Sequence, residues 1–213
     1  MRSLIARRGP AADDGFTLIE LIIAILIIGV ITVPLGNIVL GYLRNVDETT
    51  ARMLESHDAQ IASAYWAQDV ASIGVRSPTS PNPLTQSVET DVAYGASLYP
   101  CGTAGTAPIA TLAWDDTSGP GATTTVRVAY VVQSSSGQGE LHRLRCNGST
   151  VVVSDVTVAH ELDPAKPPAV ACSTACTAAP GVPKTVTLNL SLKDPGNRGA
   201  AYAVTLTGQR RQS

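Results

Sequence analysis

Gly15-Phe16-Thr17-Leu18-Ile19-Glu20, running without a break into Leu21-Ile22-Ile23-Ala24-Ile25-Leu26-Ile27-Ile28-Gly29-Val30-Ile31-Thr32-Val33, decides how the rest of the chain is read. No charged residue occurs from Leu21 to Leu43. A membrane helix needs roughly 20 consecutive apolar residues to cross the hydrocarbon core, and this run supplies them. Arg2, Arg7 and Arg8 precede it, and the next basic residue is Arg44. The basic leader is therefore expected on the cytoplasmic side. A cleaved secretory signal fits poorly: its apolar centre spans about 7–15 residues and is followed by a small-residue cleavage site. Here the run is longer, and Pro34-Leu35-Gly36-Asn37 follows it. A plain single-pass anchor leaves Glu20 unexplained, because an acid inside a span costs about 2.5–3.5 kcal/mol on insertion scales.

Glycine, an aromatic, threonine, two aliphatics and glutamate, in that order and before an apolar helix, resemble the prepilin processing site of type IV pilins and type II secretion pseudopilins. The resemblance covers about residues 9–45. It implies that a membrane-embedded prepilin peptidase cuts between Gly15 and Phe16 and then N-methylates Phe16. It also implies a role for Glu20, fifth in the mature chain, as the acid that pairs with a neighbouring subunit's terminal amine during assembly. An α-amino group carries the opposite charge at neutral pH. Other pilin or pseudopilin subunits and an assembly platform in the membrane are the further partners implied.

Composition bounds the remainder. Removal of residues 1–15 leaves 198 of 213, with 12 basic against 15 acidic side chains and a net charge of −3. That is no footprint for nucleic acid, and none is expected as a partner. Four cysteines, Cys101, Cys146, Cys172 and Cys176, all follow the apolar run. Exported, they are expected as disulfides. Three connectivities are open. Cys101–Cys146 with Cys172–Cys176 is preferred, because Cys-Ser-Thr-Ala-Cys closes a short loop. Zinc needs four clustered ligands, whereas His57, His142 and His160 are scattered. No metal and no cofactor are expected.

Along the chain, residues 16–43 read as a transmembrane and assembly helix, with Pro34 as its kink or break. The resemblance implies that the segment near such a proline is often unwound in assembled pili. Residues 44–76 read as an amphipathic spine helix. Val46, Met53, Leu54, His57, Ile61, Ala64, Tyr65 and Ile73 recur near helical spacing, and Gly74 stands as its stop. Trp66 is expected to pack under a sheet. Residues 77–106, rich in proline and glycine, read as a variable loop with a short helix near Ser87–Val92. Residues 107–213 read as an antiparallel β-sheet domain. Val126–Val132 forms one strand. Leu141–Cys146 and Val151–Val158 form a hairpin around Asn147-Gly148. Val186, Leu188, Leu190 and Leu192 alternate with polar residues, turn through Asp194–Gly199, and return as Tyr202, Val204 and Leu206.

Catalytic signatures are missing: the sequence holds no G-x-S-x-G, H-E-x-x-H or P-loop, and no catalytic residue is assigned. Asp115-Asp116 is a thin case for calcium and reads as a solvated turn. The expected fold class is α+β, pilin-like, with a long N-terminal helix packed on a C-terminal antiparallel sheet. The expected function is a non-enzymatic structural subunit, of the minor kind, of a type IV pilus or related filament. It would be anchored once in the cytoplasmic or inner membrane, with its C-terminal domain outside and at the cell surface after assembly. Two alternatives stay open: a type II secretion pseudopilin at the pseudopilus tip, or a pilus-borne adhesin or DNA-uptake module.

Overall fold

A computed structural model of the chain describes residues 15–117, 123–135, 137–177, 182–194, 196 and 200–212. The leader before Gly15 and most of the expected turn after Asp194 lie outside the described residues. The chain divides into two compact units, Met1–Val46 and Asp47–Ser213.

One helix, α1, runs Leu18–Ser72, and it continues through Pro34 rather than splitting into two. In the first unit almost every described residue of α1 is exposed, including Leu21, Ile25, Leu26 and Val30. It is long and apolar enough to cross a membrane, and none of its apolar window is covered by protein. An exposed apolar surface of this extent marks a membrane or partner contact.

In the second unit α1 buries Ala51, Glu55, Ala59, Ala62, Trp66, Asp69 and Val70. This stripe differs from the expected one: Met53 and Leu54 are 69% and 57% exposed. The pattern misled because two acids, Glu55 and Asp69, occupy the buried face and alanines fill it between them. Small side chains let the helix lie close to the sheet, most closely at Gly208. A Cβ built at Gly208 would collide with the Val70 side chain, so glycine is what the approach requires.

Among the described residues ten strands follow: β1 Val75–Arg76, β2 Leu84–Thr85, β3 Val88–Thr90, β4 Pro108–Asp116, β5 Thr124–Ser135, β6 Gln138–Asn147, β7 Val152–Leu162, β8 Ala169–Cys172, β9 Thr185–Leu192 and β10 Tyr202–Gln209. β1 and β2 pair alone, and the main sheet has the order β10-β9-β7-β6-β5-β4-β3, with β8 also on β9. Its pairings are antiparallel, and β9 aligns with β10 along Thr185–Leu192 against Gln209–Tyr202. α1 covers one face. There Trp66 is fully buried, meets Tyr130 edge-on at 5.0 Å, and donates its indole N–H to the Val186 carbonyl at 3.1 Å. A smaller cluster of Cys101, Ala129, Val131, Leu144 and Cys146 sits against the other face.

Residues Val88–Thr90 form a strand, not the expected short helix. Val88 pairs with Leu112 and is fully buried, and a β-branched side chain fits that pleated site better than a helix. The Asp115-Asp116 pair lies at the end of β4 rather than in a turn. The Asp115 carboxylate accepts the Arg76 N–H at 2.8 Å and the Thr125 hydroxyl at 3.1 Å.

Candidate processing and assembly segment

The N-terminal segment changes conformation at one residue. Gly15, Phe16 and Thr17 are outside the helix, and α1 starts at Leu18. Thr17 is the reason. Its hydroxyl oxygen accepts the Glu20 N–H at 3.3 Å, while its carbonyl accepts the Leu21 N–H at 3.2 Å. That is N-cap geometry, worth about 1 kcal/mol to the helix end. Thr17-Leu18-Ile19-Glu20 also has the spacing of a capping box, with the acid in the first turn where the helix dipole favours negative charge. The sequence reading gave Glu20 an assembly role and overlooked this local one, which the T-x-x-E spacing already signals.

The cap leaves the Gly15–Phe16 peptide on non-helical chain. Phe16 is 77% exposed, and nothing stands within 4 Å of a Cβ built on Gly15. Sixteen residues into α1, Pro34 has no N–H to offer the Val30 carbonyl. Two residues earlier, the Thr32 hydroxyl donates to the Ile28 carbonyl at 2.6 Å. Gly29, Gly36 and Gly41 surround this site with open space. Interior glycines each weaken a helix by about 1 kcal/mol relative to alanine, so these residues and Pro34 lower the helix propensity of this stretch.

The cysteines form two disulfides, Cys101–Cys146 and Cys172–Cys176. The first is buried and closes 45 residues of chain; the second closes a loop of 4. Among the described residues no group of three His, Cys, Asp or Glu is arranged to hold a metal.

A feature that sequence reasoning missed is a buried charge network. Asp69 on α1 accepts two bonds from the Arg143 guanidinium of β6, both at 2.6 Å, and one from the Tyr130 hydroxyl of β5 at 2.7 Å. The Tyr65 ring lies 5.0 Å from the same guanidinium. Burial is the main cause that pushes the Tyr130 hydroxyl well above the usual tyrosine range, and the Asp69 charge adds to it. Burial works against the Arg143 charge, but its bonds to Asp69 outweigh this and hold its pKa up. The arrangement clamps helix to sheet and exposes no group for chemistry.

The histidines do not come together. His142 Nδ1 is 2.8 Å from Asp155 and its Nε2 is 3.2 Å from Glu140, whereas His160 Nδ1 is 3.0 Å from Asp58. His57 is exposed on α1. A pocket of about 330 Å³ is lined by Leu54, Glu55, Asp58, Glu140, His160 and Glu161, an acidic and open hollow.

Compared with known proteins, the chain matches the family model for the prokaryotic N-terminal methylation motif over residues 11–36. No curated protein and no solved structure matches it.

Proposed function

We propose, from the premise that an N-terminal methylation motif at the head of a long apolar helix marks the type IV pilin and pseudopilin family, that this chain is a processed filament subunit. It is made as a precursor, cut between Gly15 and Phe16, and methylated on Phe16. Its apolar helix first holds it in the membrane and then packs among those of other subunits. It is a structural subunit of the minor kind and not an enzyme; a prepilin peptidase processes it and a membrane platform assembles it.

The observation that carries this reading is the register between motif and helix. The motif spans residues 11–36, and the helix begins within it, at Leu18, two residues past Phe16. The bond to be cut therefore sits on non-helical, exposed chain, and the segment to be assembled is helical from its first turn. Glu20 lies in that first turn. In apolar surroundings its carboxylate needs a cation, and the span offers no Lys or Arg. The new α-amino group of a neighbouring subunit supplies one. Breaking such a pair by removing one partner is costly, which makes the acid a determinant of assembly more than of insertion.

Mass spectrometry of the mature protein is expected to find N-methyl-Phe16 as first residue. A mature chain starting beyond Val33 would overturn the reading. In the same cells Glu20→Ala is expected to reach the membrane in normal amount and to fall about tenfold or more in the filament fraction, the effect of roughly 1.4 kcal/mol or more lost per contact. Undiminished incorporation would remove the assembly role of Glu20.

A further inference from the structure

The main sheet ends in two edges, β3 and β10, and they are built differently. β3 is only three residues long, and the Thr177 hydroxyl accepts the Thr90 N–H at 3.2 Å. β10 is eight residues long and, among the described residues, pairs with β9 alone. Its sequence, Tyr-Ala-Val-Thr-Leu-Thr-Gly-Gln, holds no charge and no proline, and its register runs without a bulge. Shortness, charge, proline and bulges are what keep an edge from recruiting another strand. β10 uses none of them.

Register fixes which backbone groups are spare. The Arg210 N–H donates to the Lys184 carbonyl at 2.9 Å, so the pair just past β10 is a hydrogen-bonded one. Such pairs alternate with unbonded ones in an antiparallel ladder. Tyr202, Val204, Leu206 and Gly208 therefore turn their N–H and C=O to β9, whereas Ala203, Thr205, Thr207 and Gln209 turn theirs outward. The next outward N–H, that of Arg211, donates to the Ala71 carbonyl at 3.1 Å, where the last turn of α1 meets the chain. Among the described residues no backbone group takes the four N–H groups before it.

Beside this edge lies an open groove of about 390 Å³, lined by Ala67 and Ala71 of α1 and by residues 207–211. The helix side of it is alanine, which leaves room for an added backbone. The end of the groove is basic. Arg211 and Lys184 are exposed, and the buried Arg210 Nε has no partner among the described residues. Four cations, Arg76, Lys184, Arg210 and Arg211, stand at this end of the unit. Asp115 lies beyond Gly74 and accepts the Arg76 N–H and the Thr125 hydroxyl, with Asp116 next to it. Asp69 is neutralised by Arg143.

We propose that β10 adds a strand: its outward edge takes an extended segment of a partner protein that carries an aspartate or glutamate where it meets Arg211. In recognition of this kind main-chain bonds give affinity and side chains give specificity. A strand added antiparallel to β10 starts beside Arg211, so its acid stands in its first residues. A second copy's β10 suits the edge less well, because Tyr202–Gln209 brings no acid and runs into Arg210 and Arg211. The inference does not depend on how the N-terminus is processed.

Fluorescence anisotropy with the full-length chain in detergent micelles tests it. The probe is an acetylated peptide labelled at its C-terminal end, Asp-Thr-Val-Thr-Val-Thr-Val-Thr, which has strand propensity and one acid at its start. Saturable binding is expected, with slowed hydrogen exchange over residues 203–209 of the bound chain. The same peptide with Asn in first place is expected to bind about fivefold more weakly, and Arg211→Glu to weaken the Asp peptide about tenfold, as loss and reversal of a charge pair dictate. Thr207→Pro removes an outward donor and no bond to β9, and an edge strand tolerates proline there. It is expected to weaken binding about tenfold, whereas Thr207→Val, which keeps the N–H, binds as the parent does. Tryptophan emission checks that each variant is folded. No saturable binding, or binding that Thr207→Pro and Arg211→Glu leave unchanged, overturns the inference. So does a peptide-free chain whose 203–209 amides already exchange slowly: in a dimer that result puts a second copy on the edge, and in a monomer a segment of the chain itself.

Discussion

Asp69 shows how much one side chain can settle at a distance. It is 1% exposed, and its two carboxylate oxygens hold a guanidinium and a phenol from two different strands. A buried ion pair adds little net stability against a well-packed apolar replacement, but removing one partner leaves the other charge stranded. Asp69→Ala is therefore expected to destabilise the second unit by about 3–5 kcal/mol, read from the denaturant midpoint of tryptophan emission. Adding Arg143→Met and Tyr130→Phe to that variant is expected to recover most of the loss. A triple variant no more stable than the single one would show that the network holds the fold by some means other than charge balance. None of this was legible in the sequence, because Arg143 lies 74 residues from Asp69 and no local spacing connects them. Gly15, Phe16 and Glu20 stand at the other extreme. The motif from which their roles are proposed lies in six consecutive residues, so it can be read without knowing the fold.

The same contrast appears among the elements. β9 was readable because one of its faces is wet: Val186, Leu188 and Leu190 are buried while Asn189 between them is exposed. β4 lacks such alternation for the opposite reason. Leu112 faces the core under α1 and Ala113 is equally buried, so alternation disappears when both faces are covered. The helix was legible in extent but not in orientation, since acids and alanines lined the buried stripe. Disulfides add a further layer, and the two present should differ in weight. Cross-linking removes chain entropy from the unfolded state in proportion to the logarithm of loop length. For separations of 45 and 4 residues the expected contributions are about 4 and about 2 kcal/mol. Replacing Cys101 and Cys146 together by serine is thus expected to lower stability about twice as much as replacing Cys172 and Cys176. The first replacement also loosens the segment before β4 from the outer face of the sheet, where both cysteines are buried. Equal losses from the two double variants, in parallel denaturant titrations, would refute the loop-length argument.

At the scale of the whole molecule, the stability of the second unit is set by its own core. Global stability has a pH limit built into the core. Tyr130 is fully buried against Trp66 and donates to Asp69, and burial with that neighbouring charge raises its pKa well above 10.0. A raised pKa means that the folded state holds the proton more tightly than the unfolded chain does. Below the unfolded value both states are protonated, and the contribution of the group to stability is fully present. Above about pH 10 the unfolded chain releases the proton while the folded state keeps it. The slope of stability with pH then turns negative, by as much as about 1.4 kcal/mol per pH unit for one proton. The loss continues until pH passes the folded value. Tyr99 is also raised, mainly by burial, and adds a loss of the same sign. The two can be separated by substitution. Tyr130→Phe gives up the bond to Asp69 at every pH but has no proton to release. Its stability is expected to start lower at pH 7 and to fall less steeply between pH 10 and 12, with only the Tyr99 share remaining. Urea midpoints of both proteins across that interval measure the difference. Parallel lines would mean that the Tyr130 proton is held no more tightly in the fold than in the open chain, and that alkaline unfolding begins elsewhere.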